Sequence, residues 1–349
     1  MGALLMKHQS EVLRIWEHPR PEEVGDSVEE FLRLLGGPTW IEIPGKDQSR
    51  SRAIVTLLHG NEPSGVHAIH QWLQLGNQPQ VTIACFLGAI DAALAPPGFA
   101  FRTLPGHQDL NRCWKEPYDG VEGRMAQEVL NQLRLINPEG LIDLHNTSGR
   151  SPCYAITTQL GSKQKFLTTL FSDQLVITDL RLGALMEATE LDIPTIAVEC
   201  GEYHDPQSHR VAFDGLIRFV QADNLFSNET ENPNVTVFEH PVRIELQKGR
   251  TVAYGTLPIT SAALTLRADA DKLNFDMLHA GEQIGWAGPD QLDALVALDA
   301  QGNNRVKELF SITDGQLHLA QTGRILMMTT DPIMASTDCL FYFLPATDQ

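Results

Sequence analysis

The sequence has no long hydrophobic run. Nowhere do about 18 apolar residues follow one another, which is the length that a membrane-spanning helix needs. The N-terminal residues also lack an apolar stretch that ends in a small-residue cleavage site, so we expect no secretory signal. Hydrophobic residues make up 42% of the chain and charged residues 20%, which is typical of a folded globular protein. These features predict no membrane partner.

Cysteines are few and show no pattern. The five cysteines are an odd number, they are scattered along the chain, and no two of them form a Cys-x-x-Cys pair. This argues against both a disulfide framework and a zinc site built from cysteines. The sequence therefore predicts reduced thiols and a cytoplasmic location.

Positive charge is also scarce. The chain carries 26 lysines and arginines against 44 acidic residues, which gives a formal net charge of -18. Such a chain repels nucleic acid and anionic membranes, so we expect neither as a partner. A small anionic substrate would need arginines placed next to it.

The first two thirds of the chain show one regular pattern. From about residue 53 to 225, apolar strand-like runs such as 53–58 and 81–90 alternate with helical segments such as 124–136. Uninterrupted apolar strands are buried on both faces. The alternation therefore predicts an α/β fold with a mixed sheet that helices cover on both faces.

The pattern changes after the polar stretch 227–235. Beyond it, short strand-like runs are separated by glycine, proline and aspartate, which predicts a smaller, mostly β domain. A chain of 349 residues is also long for a single hydrophobic core. We therefore predict two domains, residues 1–233 with an N-terminal entry region and residues 234–349.

A histidine and a glutamate stand close together after the strand 53–58. His59 and Glu62 are three residues apart, and zinc accepts both imidazole nitrogen and carboxylate oxygen. Two other interpretations stay open for this pair. Glu62 can lie in the first turn of the next helix, where the macrodipole favours an acid, and His59 can simply pack.

A second histidine ends another strand. His145 is the last residue of the predicted strand 141–145 and precedes a polar loop. Sites in open α/β sheets form at the carboxyl ends of strands, so His59 and His145 can converge on one crevice. Asp143 lies on the same strand face as His145 and can orient its imidazole. It can equally pair with a backbone N–H or an arginine.

A glutamate lies at the end of a third buried strand, 195–200. Near a metal site, Glu199 can act as general base and then as general acid. The alternative is a surface carboxylate where the strand leaves the sheet. Cys200 should point away from the site, because side chains alternate along a strand.

The loop 107–114 and the residues before it carry groups that bind anions. Asn111, Arg112 and Arg102 can together hold a carboxylate, since guanidinium groups match carboxylates with two hydrogen bonds. Taken singly, each of them is better explained as a surface residue; the three together beside a metal site favour an anion-binding role.

Four motifs occur in a fixed order along the chain: HGNEPSG at 59–65, DLNR at 109–112, DLHN at 143–146 and VECG at 198–201. Together they resemble the succinylglutamate desuccinylase/aspartoacylase family, whose fold is related to that of the zinc carboxypeptidases. The resemblance covers about residues 40–225. The β-like C-terminal part suits the β domain of that family.

The resemblance implies a role for each motif. One zinc ion per chain would be held by His59, Glu62 and His145. Glu199 resembles the catalytic general base, and Arg102 resembles the arginine that polarises the scissile carbonyl.

The remaining motif residues concern the substrate. Asn111 and Arg112 resemble the pair that binds the substrate carboxylate, while Asp109 would hold their loop together. We also assign Asn146, directly after the third zinc ligand, to substrate binding.

The chain departs from aspartoacylase itself at two places. Aspartoacylase holds its acidic substrate with a further arginine just before the strand of the catalytic glutamate and with a tyrosine in its C-terminal domain. Here residues 185–199 contain no arginine and residues 255–341 contain no tyrosine. Specificity for acetylaspartate therefore does not follow. Tyr203 and His204 are further candidates for facing the pocket.

The sequence predicts a zinc-dependent hydrolase that cleaves the amide bond of an N-acyl amino acid or a similar small carboxylate. The alternatives are a zinc carboxypeptidase or murein-peptide amidase, a non-catalytic metal-binding protein, and an α/β protein without metal in which the motifs match by chance. The presence of Glu199 argues against pure binding, because binding needs no base. The acyl group, the amino acid and the formation of a homo-oligomer stay open.

Overall fold

The computed structural model of the protein describes residues 6–9, 12–226 and 233–346. Most of the predicted linker 227–235 lies outside these ranges. The described residues group into two compact units. The domain boundary at residues 233 and 234 stays a prediction.

Each unit is built from three stretches of the chain. The larger unit contains the described residues up to Asn146, then Cys153–Leu175 and Arg181–Val237. The smaller unit contains Thr147–Pro152, Val176–Leu180 and the described residues from Phe238 onward. The chain therefore leaves the larger unit just after the third candidate zinc ligand.

The described residues form nine α-helices and four short 3-10 helices. The α-helices are α1 Val28–Leu35, α2 Ser64–Leu75, α3 Ile90–Leu94, α4 Gly120–Ile136, α5 Ser162–Thr169, α6 Leu185–Thr189, α7 Pro206–Gln221, α8 Val306–Leu309 and α9 Pro332–Thr337. The 3-10 helices are Pro21–Glu23, Leu110–Arg112, Ala270–Leu273 and Gln291–Ala294. Within the described part of the chain, no helix has the length and apolar character that crossing a bilayer requires.

Twenty strands occur in the same residues. The first ten are β1 Met6–Gln9, β2 Arg14–Glu17, β3 Thr39–Ile43, β4 Asp47–Thr56, β5 Val81–Leu87, β6 Leu141–Thr147, β7 Tyr154–Thr157, β8 Gln174–Ile177, β9 Thr195–Glu202 and β10 Thr236–Glu239. The others are β11 Val242–Leu246, β12 Val252–Gly255, β13 Leu264–Arg267, β14 Met277–Leu278, β15 Gln283–Ala287, β16 Leu295–Leu298, β17 Phe310–Thr313, β18 Gln316–Leu319, β19 Gly323–Leu326 and β20 Phe341–Pro345.

The first ten strands form one mixed sheet. Their order across the sheet is β1-β2-β3-β5-β4-β6-β9-β7-β8-β10. The central strands β5, β4 and β6 run parallel, whereas β3 is antiparallel to β5 and β7 is antiparallel to β9. The carboxyl ends of β4 and β6 therefore lie side by side.

Strand β4 is buried on both faces. Ala53, Ile54 and Val55 are each at most 1% exposed, and successive side chains of a strand point to opposite faces. Ala53 and Val55 pack with the buried residues of α4. On the other face α2 begins so close to the strand that a Cβ on Gly65 would lie 2.0 Å from Oγ1 of Thr56. The predicted mixed sheet with helices on both faces is confirmed.

The smaller unit is mostly β and has its own core. Two five-stranded sheets, β14-β19-β20-β11-β16 and β12-β13-β15-β18-β17, contribute to a single apolar cluster. Ile244 and Phe343 enter it from the first of these sheets, and Leu266 and Leu317 enter it from the second. The predicted smaller β-rich part is confirmed as an architecture. Strand β10, at the start of that part of the sequence, instead joins the large sheet beside β8.

Candidate metal centre

A tight turn after β4 presents the first two candidate ligands. Leu57 turns the chain with a φ of 56°, which is uncommon for a residue with a side chain. Gly60 lets a neighbouring loop approach, because a Cβ there would lie 2.7 Å from the carbonyl oxygen of Phe101. The backbone N–H of Gly60 donates to the Arg102 carbonyl at 2.9 Å. The turn that carries His59 therefore also fixes the backbone of Arg102.

Two imidazoles converge on one carboxylate at this edge of the sheet. Nδ1 of His59 lies 2.7 Å from Oε1 of Glu62, and Nδ1 of His145 lies 2.7 Å from its Oε2. The three residues are only 3–5% exposed. The structure thus brings together the three residues that the sequence assigned to a metal, from two neighbouring strands.

The other ring nitrogen of each histidine lies against a second carboxylate. Nε2 of His59 is 3.0 Å from Oδ1 of Asp109, and Nε2 of His145 is 2.9 Å from Oδ2 of Asp143. Of the two roles left open for Asp143, the position beside the imidazole is the observed one. Such a carboxylate fixes the orientation of a metal-binding ring.

Asp109 does more than the sequence indicated. It holds its own loop, as expected, by accepting the backbone N–H of Asn111 at 2.8 Å. Its contact with His59 was missed, because the two residues are far apart in sequence and meet only when the loop folds back over the end of β4. The only signal in the sequence is an Asp directly before a short helical turn. This pattern predicts an N-cap and not a contact with a histidine.

Carboxylates control the charge of both histidines. Burial alone would lower the pKa of His59 and His145, but Glu62 and Asp109 raise the pKa of His59, and Asp143 and Glu62 raise that of His145 well above its usual range. Although burial opposes it, the two imidazoles hold the pKa of Glu62 below its usual range. The cluster therefore favours positive charge at its centre.

These residues fit a zinc ion. Ligand atoms of His59, Glu62 and His145 all lie within 4.8 Å of one another. Two imidazoles and one carboxylate form a common zinc donor set that leaves a fourth position for water or substrate. A divalent cation would also balance the buried negative charge of the surrounding carboxylates, which is costly when uncompensated.

Glu199 lies in β9, three residues before the end of that strand, and β9 is next to β6 in the sheet. The residue is 6% exposed, and its Oε2 accepts no hydrogen bond from any described residue. Burial raises the pKa of its carboxyl from 4.5 to about 7, and Glu62 adds to this, while His145 and His59 act in the opposite direction. A carboxyl group with this pKa can both take and release a proton near neutral pH.

Arg102 lies within the same cluster. Its Nε and Nη2 donate to Oδ2 of Asp109 at 3.1 and 2.9 Å, and its Nη1 is 3.9 Å from Oε1 of Glu62. Asp109 therefore joins the guanidinium to the imidazole of His59. The predicted action of Arg102 on a substrate carbonyl stays a prediction.

Asn111 and Arg112 form part of a short 3-10 helix beside this cluster. Oδ1 of Asn111 accepts the backbone N–H of Leu185 at 3.2 Å, and Nη1 of Arg112 donates to the Asn111 carbonyl at 2.9 Å. These contacts order the loop. Binding of a substrate carboxylate by the pair stays a prediction.

Asn146 is buried, with 4% exposed, and its amide bonds within the protein. Its Nδ2 donates to Oγ of Ser64 at 2.8 Å and to the Gly201 carbonyl at 2.9 Å. Its Oδ1 accepts the backbone N–H of Ser64 at 2.9 Å. The substrate contact predicted for Asn146 stays a prediction, and the structure gives its amide three internal bonds.

Three neighbours of Glu199 were also singled out in the sequence. Burial raises the pKa of the Cys200 thiol well above its ordinary value of 9.0, which disfavours a thiolate nucleophile. The rings of Tyr203 and His204 lie against each other, with centroids 4.1 Å apart. Their contact with substrate stays a prediction.

No protein-family model matches the chain, and no curated protein does either. Solved structures do match it along most of its length. One is the product-bound ectoine utilization protein EutE of Ruegeria pomeroyi, with 14% identity, a TM-score of 0.55, and 89% of this chain and 88% of that one covered.

Two further matches carry the names of one family. A succinylglutamate desuccinylase/aspartoacylase from Rhodobacter sphaeroides is 12% identical with a TM-score of 0.57, covering 88% of each chain. A succinylglutamate desuccinylase from Chromobacterium violaceum is 15% identical with a TM-score of 0.54, covering 88% of this chain and 89% of that one. The chain therefore has the fold of the succinylglutamate desuccinylase/aspartoacylase structures, which confirms at the level of the fold the resemblance found in the four motifs.

Proposed function

We propose that this protein is a zinc-dependent hydrolase that cleaves the amide bond of an N-acyl amino acid or a similar small carboxylate. The observation that carries the proposal is the convergence of His59, Glu62 and His145 next to a buried Glu199 whose Oε2 has no partner among the described residues. Carboxyl groups whose pKa is shifted by burial and by specific charged neighbours cluster at catalytic sites, and the pKa of Glu199 is raised to about 7.

His59, Glu62 and His145 would hold the ion, with Asp109 and Asp143 orienting the two imidazoles. The chemistry that a bound zinc ion supplies is polarisation of a carbonyl and a lowered pKa of water, towards about 7. All of the proposed ligands come from the larger unit. We accordingly propose residues 1–233 as the catalytic domain and residues 234–349 as a β-rich domain.

Glu199 is the proposed general base. Its carboxylate takes a proton from the attacking water, and the resulting carboxylic acid gives that proton to the departing amine. The products are a free carboxylate and an amine, and Glu199 returns to its starting state.

Three further side chains would hold the substrate. Arg102, which Asp109 positions through two hydrogen bonds, would stabilise negative charge on the carbonyl oxygen. Asn111 and Arg112 would bind the carboxylate of the amino acid and so fix the amide bond in place.

The matched structures support the same reaction class by name. Two of those reported above are described as succinylglutamate desuccinylases or aspartoacylase relatives, and one was solved with its product bound. At 12–15% identity, these matches do not transfer a substrate to this chain.

A hydrolysis screen tests the proposal. Zinc-loaded protein is incubated with a panel of N-acyl amino acids that vary the acyl group and the amino acid, and with short peptides that have a free C-terminus. We expect release of the amine from one or more N-acyl amino acids and a loss of activity after chelation. Cleavage of peptides alone would replace the proposal with a carboxypeptidase, and no cleavage of any compound would favour a binding protein.

A further inference from the structure

The amide of Asn146 connects three of the motifs. Its hydrogen bonds reach Ser64 in the first motif and Gly201 in the last, while Asn146 itself belongs to the strand of His145. Its backbone N–H also lies 3.4 Å from Oε2 of Glu62. A single buried side chain thus touches every segment that carries a candidate ligand or the candidate base.

The bond to Ser64 replaces a missing helix cap. Ser64 is the first residue of α2, and the residue before it, Pro63, makes no side-chain cap. The first N–H groups of a helix have no partner inside the helix, so they must bond elsewhere when buried. Oδ1 of Asn146 supplies that partner from a different strand, which fixes the start of α2, just after Glu62, to the end of β6.

The hydroxyl of Ser64 extends the connection to α7. Oγ lies 2.8 Å from Nδ2 of Asn146 and 2.8 Å from Nδ1 of His209. The amide Nδ2 can only donate, so Oγ accepts that bond and its own proton is available for Nδ1. Burial lowers the pKa of His209, against the opposing effect of Asp205, and this favours the neutral ring that accepts at Nδ1.

We propose that Asn146, Ser64 and His209 form a positioning network that holds the metal-binding turn, β6 and the end of β9 in register. In this account Asn146 does not contact substrate, and His209 acts on the site only through Ser64. The inference rests on the proposed function, because it assigns these residues to the alignment of that site.

The network predicts a graded effect of substitution. Asn146→Ala removes all three amide bonds, and we expect metal affinity and kcat each to fall on the order of 10- to 100-fold, as for residues that orient ligands. His209→Ala removes one bond at the far end, and we expect about a 2- to 10-fold fall in kcat. KM should change less than about twofold in both variants, because no substrate contact is lost.

Two variants separate the network from simple packing. His209→Asn places an amide oxygen near the position of Nδ1, so we expect it to restore kcat to within about twofold of the wild type. His67 stacks on His209, with ring centroids 4.5 Å apart and planes at 10°. His67→Ala removes this stacking but leaves the bond between Ser64 and His209, so it serves as the matched control and should leave kcat unchanged.

Three measurements decide the matter: kcat and KM for the best substrate, zinc affinity by competition with a chromophoric chelator, and amide exchange at Ser64 in metal-free protein. The expected result is faster exchange at Ser64 in Asn146→Ala but not in His67→Ala. A substrate-dependent rise in KM with unchanged zinc affinity in Asn146→Ala would overturn the network and place Asn146 against substrate. Equal losses in His67→Ala and His209→Ala would overturn it in favour of packing.

Failure of the proposed function gives a different result. If the wild-type protein hydrolyses nothing, the hydrolase assignment falls, while the exchange rate at Ser64 and the zinc affinity still test the network. If hydrolysis is present and all variants behave like the wild type, the hydrolase stands and the network falls.

Discussion

Two buried charged clusters lie along the path of β4, one within the strand and one just beyond its end, and they differ in how completely their polar groups are satisfied. Arg52 lies within the strand and its side chain is fully buried. His59 lies three residues beyond the end of the strand. Both clusters take charge out of water, which is costly unless partners compensate for it.

The Arg52 cluster is complete. Its Nε pairs with Glu139, its Nη1 donates to the Phe219 carbonyl, and its Nη2 donates to the Ala222 carbonyl at 2.7 Å. Glu139 also approaches Arg50, at 3.5 Å. Every contact ties β4 to the residues after α4 or to the end of α7, so this cluster holds the fold together.

The cluster around His59 is incomplete by the same measure. Its carboxylates raise the pKa of two imidazoles and so favour their charged form. Oε2 of Glu199 accepts no hydrogen bond from a described residue. A buried polar atom without a hydrogen-bond partner costs free energy, and a catalytic role is one of the explanations for its presence. Burial of charge alone therefore does not indicate function; what distinguishes the second cluster is the Glu199 carboxyl without a described partner beside three candidate metal ligands.

The largest expected effect is a loss of catalysis, without a loss of the fold, when Glu199 is replaced. Glu199→Gln should keep the metal and lower kcat by about 10²- to 10⁴-fold, because an amide cannot act as a base. Steady-state kinetics together with metal analysis checks this. Glu202→Gln, at the end of the same strand, is the matched control and should retain activity. Unchanged activity in Glu199→Gln would exclude Glu199 as the general base.

Arg52→Met should show the reverse pattern. It leaves Glu139 with only the longer contact to Arg50 and removes the side-chain donor of two carbonyl groups, and we expect a loss of about 3–5 kcal/mol in the free energy of unfolding. The kcat of the folded fraction should stay the same. Chemical denaturation measures the loss. The exposed pair of Arg33 and Glu29 provides the control, since Arg33→Met should cost at most about 1 kcal/mol.

The two clusters should also respond differently to pH. The pKa of Glu199 is raised to about 7, so its protonated form stabilises the metal-free fold. That contribution is complete below about pH 4.5 and is lost as the pH rises through about 7. Metal-free Glu199→Gln should therefore become more stable than the wild type over this range, by at most about 3 kcal/mol.

Unfolding curves of metal-free protein at several pH values test this difference. Arg52→Met should show no such trend relative to the wild type, because the guanidinium stays charged throughout. A constant difference between wild type and Glu199→Gln across the same range would mean that Glu199 does not titrate there.

The smallest effects concern the carboxylates behind the imidazoles. Asp143→Asn and Asp109→Asn should each weaken zinc binding about 10- to 100-fold, because each ring loses the carboxylate that orients it. Competition with a chelator measures this. The exposed pair of Asp179 and His240 has the same chemistry at 3.2 Å, and Asp179→Asn should leave zinc affinity unchanged.

The sequence predicted the parts of the site that depend on local pattern. His59 follows an apolar strand, while His145 and Glu199 lie near the carboxyl ends of two others, and the topology of an α/β sheet gathers such positions at one edge. The strands themselves were recognised from their apolar runs. This is why the fold and the three-residue cluster could be predicted without the structure.

Contacts that depend on loop paths could not be predicted. Asp109 reaches His59 because Gly60 admits the neighbouring loop, and Arg52 meets Glu139 from 87 residues away. The three internal hydrogen bonds of the Asn146 amide could not be predicted either, since the position of Asn146 in a motif cannot reveal that Ser64 needs a cap. The position of β10 in the large sheet could not be predicted either, because the sequence of a four-residue strand does not indicate which strand it pairs with.

The central claim is that His59, Glu62 and His145 hold a catalytic divalent ion. The most direct test measures bound metal by mass spectrometry in chelated and zinc-treated protein, alongside hydrolysis, for the wild type and His145→Ala. The account predicts one zinc ion per wild-type chain, recovery of hydrolysis with zinc, and loss of both in His145→Ala. A folded wild-type protein that takes up no ion, or hydrolysis that survives complete removal of metal, would contradict it.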